Sequence, residues 1–336
     1  MKTNTNSPCP SCTSTNTTVY KGYTTIHNGE RVLLSCNDCQ NVFSETAGSP
    51  MESLKSPISK VALALKMRSE GLGLRATGRV LGSDKKTISN WESRFAEQKS
   101  TLMLYSLCYD FISLTFEGDE LYTIVGNRTD SSESKGWTAV IIERSSRFIV
   151  DQKCGEKNEN LFRAVMENVC AFLDKTGDIA FFSDGERRYG NTLFKMCSEV
   201  LETGQRGRPP RVLPRGVKAR VKNKGSQKNK KGRKRPKYQA PWREHPDTED
   251  CQDSEINANH LEAQNASTRR RNSAFRRRTN TYAKTTGGLQ RTLDVHQIIH
   301  NFVRPHWTTG VVPAVALGII SNAFTLVDIL TMSKTI

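Results

Sequence analysis

The spacing of apolar positions changes character along the chain. Over residues 1–45 they are sparse, and a stretch rich in Thr, Tyr and Val between Cys12 and Cys36 reads as short strands turning at Asn28-Gly29. From Pro57 the period becomes helical. Ile58, Val61, Ala62, Leu65 and Met67 mark one helix that Gly71 to Gly73 ends, and a second short helix covers Leu74 to Leu81. Gly82-Ser83 makes a tight turn, and Ser83 or Asp84 is placed to cap a third helix with Ile88, Trp91 and Phe95 inward, the pattern of a helix-turn-helix. Strand-like runs then follow over Phe111–Phe116, Leu121–Val125, Trp137–Ile142 and Phe148–Val150, with a helix over Asn160–Leu173 and a strand over Ile179–Phe182. Strands first, then helix and strand, predict a mixed sheet flanked by helices. A long helix from about Asn257 to Arg278, another over Leu289–Phe302, and a packed helical tail over Val311–Met332 complete the pattern.

Cysteine spacing gives the first segment its chemistry. Of nine cysteines, four form two close pairs, Cys9-Pro-Ser-Cys12 and Cys36-Asn-Asp-Cys39, while Cys108, Cys154, Cys170, Cys197 and Cys251 are scattered. Four thiolates close a tetrahedral Zn2+ site, each pair forming one knuckle, and the metal substitutes for a core that so few residues cannot build. Residues 1–45 therefore read as a zinc ribbon.

Charge names the partner. The chain carries 50 Lys and Arg against 34 Asp and Glu, a formal net charge of +16. Such a surplus points to a polyanion. Double-stranded DNA is favoured over a membrane, because the apolar stretch near the end is broken by Pro313, Asn322 and Asp328. Met1 to Pro10 has no apolar run of signal-peptide length, so a cytoplasmic, nucleoid-associated protein is expected. Between Arg206 and Lys237 lie fifteen Lys and Arg and no acid. This basic insertion, about 205–243, suits salt-dependent tracking of a phosphate backbone. On the third helix Lys85, Lys86, Thr87, Ser89, Asn90 and Arg94 would face the major groove. On the long helix Glu262, Asn265 and Arg269 share a face, and Arg269-Arg270-Arg271 recurs as Arg276-Arg277-Arg278 about two turns later.

Two carboxylates end strand-like runs: Asp119 in Phe116-Glu-Gly-Asp-Glu-Leu and Asp184 in Phe181-Phe-Ser-Asp-Gly-Glu. If those strands are neighbours, their acids converge, and Glu262 can approach from the long helix to complete an oxygen-rich site. Hard cations such as Mg2+ or Mn2+ prefer these donors, and two ions about 4 Å apart activate a nucleophile and stabilise a phosphodiester leaving oxygen. Spacing alone leaves the ligand set open, since Glu117, Glu120 and Glu186 are close by. His296, His300 and His306 read as structural or exposed.

The chain resembles the insertion-sequence-one transposases in their long form. The resemblance is carried by the two Cys-x2-Cys pairs, by Gly118-Asp-Glu-Leu, by Phe182-Ser-Asp-Gly and by Asn259-His-Leu-Glu-Ala-Gln-Asn265 before the arginines. It runs over nearly the whole chain. It implies a multidomain protein: a small four-cysteine zinc ribbon over 1–45, an all-α helix-turn-helix over 56–98, an α/β ribonuclease H-like catalytic domain over 108–304, and a tail over 305–336. It implies Asp119, Asp184 and Glu262 as metal ligands, with Arg269 as the basic residue seven positions after the Glu. The implied activity is binding of terminal inverted repeats, then metal-dependent strand cleavage and transfer into target DNA by a synaptic homo-oligomer. The basic insertion stretches the interval between Asp184 and Glu262 and is a departure. An inert DNA-binding regulator derived from such an element is the alternative.

Overall fold

The computed structural model describes residues 7–127, 130–204, 206–223, 252–276 and 280–334. The chain opens with an antiparallel three-stranded sheet, β1 (Thr17–Thr25), β2 (Gly29–Cys36) and β3 (Val42–Ser44), turning where Gly29 takes a positive φ. Its buried apolar residues are few: Cys9, Leu34, Cys36 and Phe43, with Val32 and Ala47 packed against them.

Helices α1 (Ile58–Ser69), α2 (Leu74–Leu81) and α3 (Lys85–Ala96) follow. Of the two candidate caps for α3, Asp84 is the one used: its side chain accepts from Lys86 N at 2.7 Å. Gly78 lets the α2–α3 turn close, for a Cβ there would lie 2.5 Å from the Ser83 carbonyl oxygen. Trp91 and Phe95 turn inward, and α4 (Gln98–Leu104) carries the chain onward.

A five-stranded sheet forms the centre: β4 (Leu114–Tyr122), β5 (Trp137–Glu143), β6 (Ile149–Gly155), β7 (Ile179–Ser183) and, after a two-residue ladder of β8 (Glu199–Val200) with β9 (Arg211–Val212), β10 (Val217–Val221). The order is β10-β7-β4-β5-β6, with β4, β5 and β6 antiparallel and β4, β7 and β10 parallel. Two of the separate runs read from the sequence, 111–116 and 121–125, are one strand here, so Asp119 lies within β4 rather than after it. Pairing with β5 and β7 on both edges holds the polar Glu-Gly-Asp-Glu segment extended.

The two sheet faces are covered differently. Residues Phe116, Ala139 and Ile141 pack under α5 (Glu159–Ala171) and α6 (Arg188–Cys197). On the opposite face Leu121, Val140 and Ile142 meet Leu261 of α7 (Asn259–Arg271) and Leu289 and Leu293 of α8 (Thr286–Ile298). The expected long helix is shorter than its pattern. It ends at Arg271, because Asn272 caps a following turn (Ala274 N to Oδ1, 3.1 Å) that buries Ala274 and Phe275. The two arginine tracts therefore do not stack on one helix, and Arg277 and Arg278 lie outside the described residues.

The three helices expected to form a helix-turn-helix are not a separate body. Ile88, Trp91 and Phe95 belong to the same buried cluster as Phe116, Phe148 and Phe162. Glu92, 1 % exposed, joins α3 to α1 and α8 through Arg68 (2.6 Å) and Arg291 (3.4 Å). The tail packs on this core through α9 (Pro313–Ala316), α10 (Leu326–Thr331) and Ile319 between them, burying Ala314, Ile319, Ile329 and Leu330. His296 and His300 stack at 6.0 Å within it, and burial holds both below the usual imidazole value, His300 at about 3. They are neutral packing groups. No helix among the described residues is long and apolar enough to cross a membrane.

Candidate functional site

The four cysteines of the N-terminal sheet converge. Their sulfurs lie within 4.8 Å of one another, with Cys9–Cys39 and Cys12–Cys36 at 3.5 Å. A tetrahedral ion with Zn–S bonds of about 2.3 Å sets its sulfurs about 3.8 Å apart, so the cluster could bind zinc. The two knuckles repeat one hydrogen-bond plan. Thr13 N bonds Cys9 O and Gln40 N bonds Cys36 O, while Cys9 N reaches Ser14 O and Cys36 N reaches Asn41 O. Thr13 and Gln40 both take positive φ, 61° and 59°, which bends each loop back under its sulfurs. Because the surrounding apolar core is so small, chelation or Cys36→Ser is expected to unfold residues 7–45 while the central sheet stays folded. Loss of protection from amide hydrogen exchange confined to that segment checks this. Unchanged exchange there would sink a structural role for the metal.

The acids meet where the carboxyl end of β7 lies beside an interior position of β4. Gly118 and Ser183 are register partners, and Asp119 and Asp184 are the next residues on these parallel neighbours. Gly118 is required by close approach: a Cβ there would meet Phe181 Cζ at 2.7 Å. Tyr189 Oη donates to the Asp119 carbonyl oxygen at 2.9 Å, and burial raises its phenol well above the usual value, so it remains a donor. Asp119 and Asp184 are both half-buried.

Helix α7 runs beside β4 in the same direction. Its start is fixed by Glu117, fully buried, whose carboxylate accepts from Leu261 N (2.9 Å), His260 Nδ1 (2.7 Å) and Arg144 Nε (2.7 Å). Arg144 also donates to the carbonyls of Glu255 (3.0 Å) and Asn257 (2.7 Å) and covers the Phe182 ring, tying down the approach to α7. One turn on, Asn265 Nδ2 donates to Asp119 Oδ2 at 2.8 Å. Glu262 is exposed on the same helix, three residues before Asn265, with no side-chain hydrogen bond or ion pair among the described residues.

Glu120 and Glu186 are engaged elsewhere. Lys157 Nζ bridges them at 2.8 and 3.2 Å and sits over the Trp137 ring at 4.4 Å. Burial raises the Glu120 carboxyl against the pull of Lys157, whereas the Arg188 guanidinium and Lys157 outweigh burial and hold Glu186 low. Among the described residues the four cysteines are the group of three or more ligand atoms found within 4.8 Å of one another, and Asp119, Asp184 and Glu262 are not drawn together that closely.

The predicted DNA-facing residues divide. Lys85, Lys86 and Asn90 are exposed on α3, with Thr87 and Ser89 half-buried beside them. Arg94 is turned away, its Nη1 donating to the Glu52 carbonyl at 2.6 Å, where it pins the segment leaving the small sheet. Arg269, Arg270 and Arg276 are exposed, and Arg276 lies against Gly71 in the α1–α2 turn. Asn265 is 2 % exposed and cannot meet DNA as the sequence suggested. Residue 205 and residues 224–243 of the basic insertion lie outside the described residues. Sequence reading missed Arg144 and His260 as organisers of the site; the Asn259-His-Leu-Glu motif held the only signal for His260.

A scan against protein-family models finds no match, and a search of curated proteins finds no relative.

Proposed function

We propose that this chain is a DNA transposase of the insertion-sequence-one kind, using Asp119, Asp184 and Glu262 to hold two Mg2+ or Mn2+ ions for strand cleavage and transfer. The observation that carries the reading is the juxtaposition of Asp119 and Asp184 beyond one pair of register partners, with α7, the helix that bears Glu262, laid along β4. The strand order, three antiparallel strands with two parallel strands added beside the first, is the one a ribonuclease H-like catalytic core requires and supports the same assignment. When bound, the ions supply an activated hydroxyl and neutralise the leaving oxygen of the phosphodiester. The protein's residues position them: Tyr189 and Asn265 hold Asp119, and Glu117 with Arg144 seats the helix that presents Glu262.

Recognition falls to the zinc ribbon and to α3. Lys85 and Lys86 meet phosphates, and Asn90, with Ser89 and Thr87, meets base edges of the terminal repeat. Arg269, Arg270 and Arg276, exposed at and just beyond the end of α7, would carry the backbone of the end being cut. Two ends are handled together, which requires a synaptic oligomer.

The test is cleavage and joining of labelled DNA bearing the element's ends, with Mg2+, with Ca2+ and with chelator. Mg2+-dependent release of a 3'-hydroxyl and its joining to target DNA is expected. Tight binding of the ends with no cleavage under any of these conditions overturns the enzyme and leaves a DNA-binding regulator.

A further inference from the structure

The Asn265 amide lies on the hidden side of α7, where DNA cannot reach it, and is spent on a carboxylate. Its side chain is 2 % exposed, its Nδ2 donates to Asp119 Oδ2 at 2.8 Å, and its Oδ1 is buried without a hydrogen-bond partner. A buried amide that leaves one acceptor unsatisfied carries the desolvation penalty of that acceptor uncompensated. An apolar residue of similar volume would avoid that penalty. What leucine could not supply is the N–H aimed at Asp119.

We infer that Asn265 is a positioning residue for the cation site: its amide, by holding Oδ2, fixes the rotation of the Asp119 carboxylate and so the orientation in which that carboxylate meets a divalent ion. The inference rests on the metal-dependent reading above. Asp119 is held from two directions, its backbone carbonyl by Tyr189 Oη and its side chain by Asn265 Nδ2, so strand and carboxylate are oriented independently. The amide sits one turn beyond Leu261, whose N–H is fixed by Glu117, so the anchoring of α7 at its first turn sets where the Asn265 donor falls. Groups that orient a metal ligand in this way typically change metal affinity or activity by about 10–100-fold when removed.

The experiment compares the full-length protein with Asn265→Leu and Asn265→Ala, each freed of divalent ions and titrated with Mn2+ without DNA, followed by electron paramagnetic resonance. Asn265→Leu keeps the volume, so a melting temperature like that of the unaltered protein, with Mn2+ affinity at least about tenfold weaker, is the expected result. Binding of end DNA in chelator should be unchanged for both variants. If the unaltered protein and Asp119→Ala bind Mn2+ alike, the cation reading itself fails. If Asp119→Ala loses Mn2+ while Asn265→Leu retains full affinity, only the role given to Asn265 is overturned. Weaker DNA binding in chelator with unchanged Mn2+ affinity would make Asn265 a DNA contact instead, and would also overturn the inference.

Discussion

Asp184→Ala and Asp119→Ala are each expected to lower end cleavage by about 10³-fold or more, roughly 4 kcal/mol of transition-state stabilisation, while affinity for end DNA stays within about twofold. On the proposed reading each substitution removes an oxygen ligand from a site with few donors, and Glu117, Glu120 and Glu186 are not free to replace it. Glu117 is fully buried and already accepts from Arg144, His260 and Leu261 N, while Glu120 and Glu186 share Lys157. Glu120 also projects from the other side of β4, toward α5 and α6, because strand residues alternate. Glu120→Gln should therefore reduce cleavage less than tenfold, although it loses its ion pair. DNA affinity is preserved because the groups assigned to binding sit on α3 and the arginine tract. Rates on pre-nicked and intact end substrates, measured beside binding isotherms in Ca2+, separate these effects. A chain that loses cleavage with Glu120→Gln and keeps it with Asp184→Ala would move the cation site to the opposite face of the sheet.

Legibility in the sequence followed how local each cause was. The Cys-x2-Cys pairs, the Asn28-Gly29 turn and the α2–α3 turn capped by Asp84 depend on residues a few positions apart, and they appear where the pattern puts them. The strand at Asp119 was split in two because Glu117, Gly118, Asp119 and Glu120 carry no apolar alternation. They stay extended because of β5, β7 and a carboxylate whose partner, His260, is 143 residues away. Helix α7 was overextended for a related reason. Arginine tracts favour continuing a helix, and only the burial of Phe275 against the sheet makes the Asn272 cap decisive. Helical spacing alone points Arg94 and Asn265 toward DNA. Spacing fixes which residues share a face but not which face the rest of the protein covers.

The same covering has a consequence for how recognition is joined to cutting. The resemblance implies a helix-turn-helix as a domain of its own over 56–98, but α3 shares the sheet's buried core, and Glu92 ties it to α1 and α8 from a nearly water-free position. The α1–α2 turn rests against Arg276, just past the end of the helix that carries Glu262. On the proposed transposase reading, a module held this way keeps a fixed distance and angle between the bases that α3 would read and the phosphodiester that would be presented to Asp119 and Asp184. Inserting five base pairs between the terminal repeat and the cleavage point displaces the scissile bond by about 17 Å and turns it about half a helical turn. Misplacement of even about 1 Å can cost 10²-fold in rate, so cleavage at the element boundary should fall at least about 100-fold while binding is unchanged. Ten base pairs restore the angle but not the distance, so that substrate should remain poor as well, and residual nicks should keep the original spacing from the repeat. Mapping nicks on end-labelled substrates of each length decides the matter. Efficient cutting at the displaced boundary in both would mean that α3 leaves the core when DNA binds, and that the Glu92 ion pairs break in the working complex.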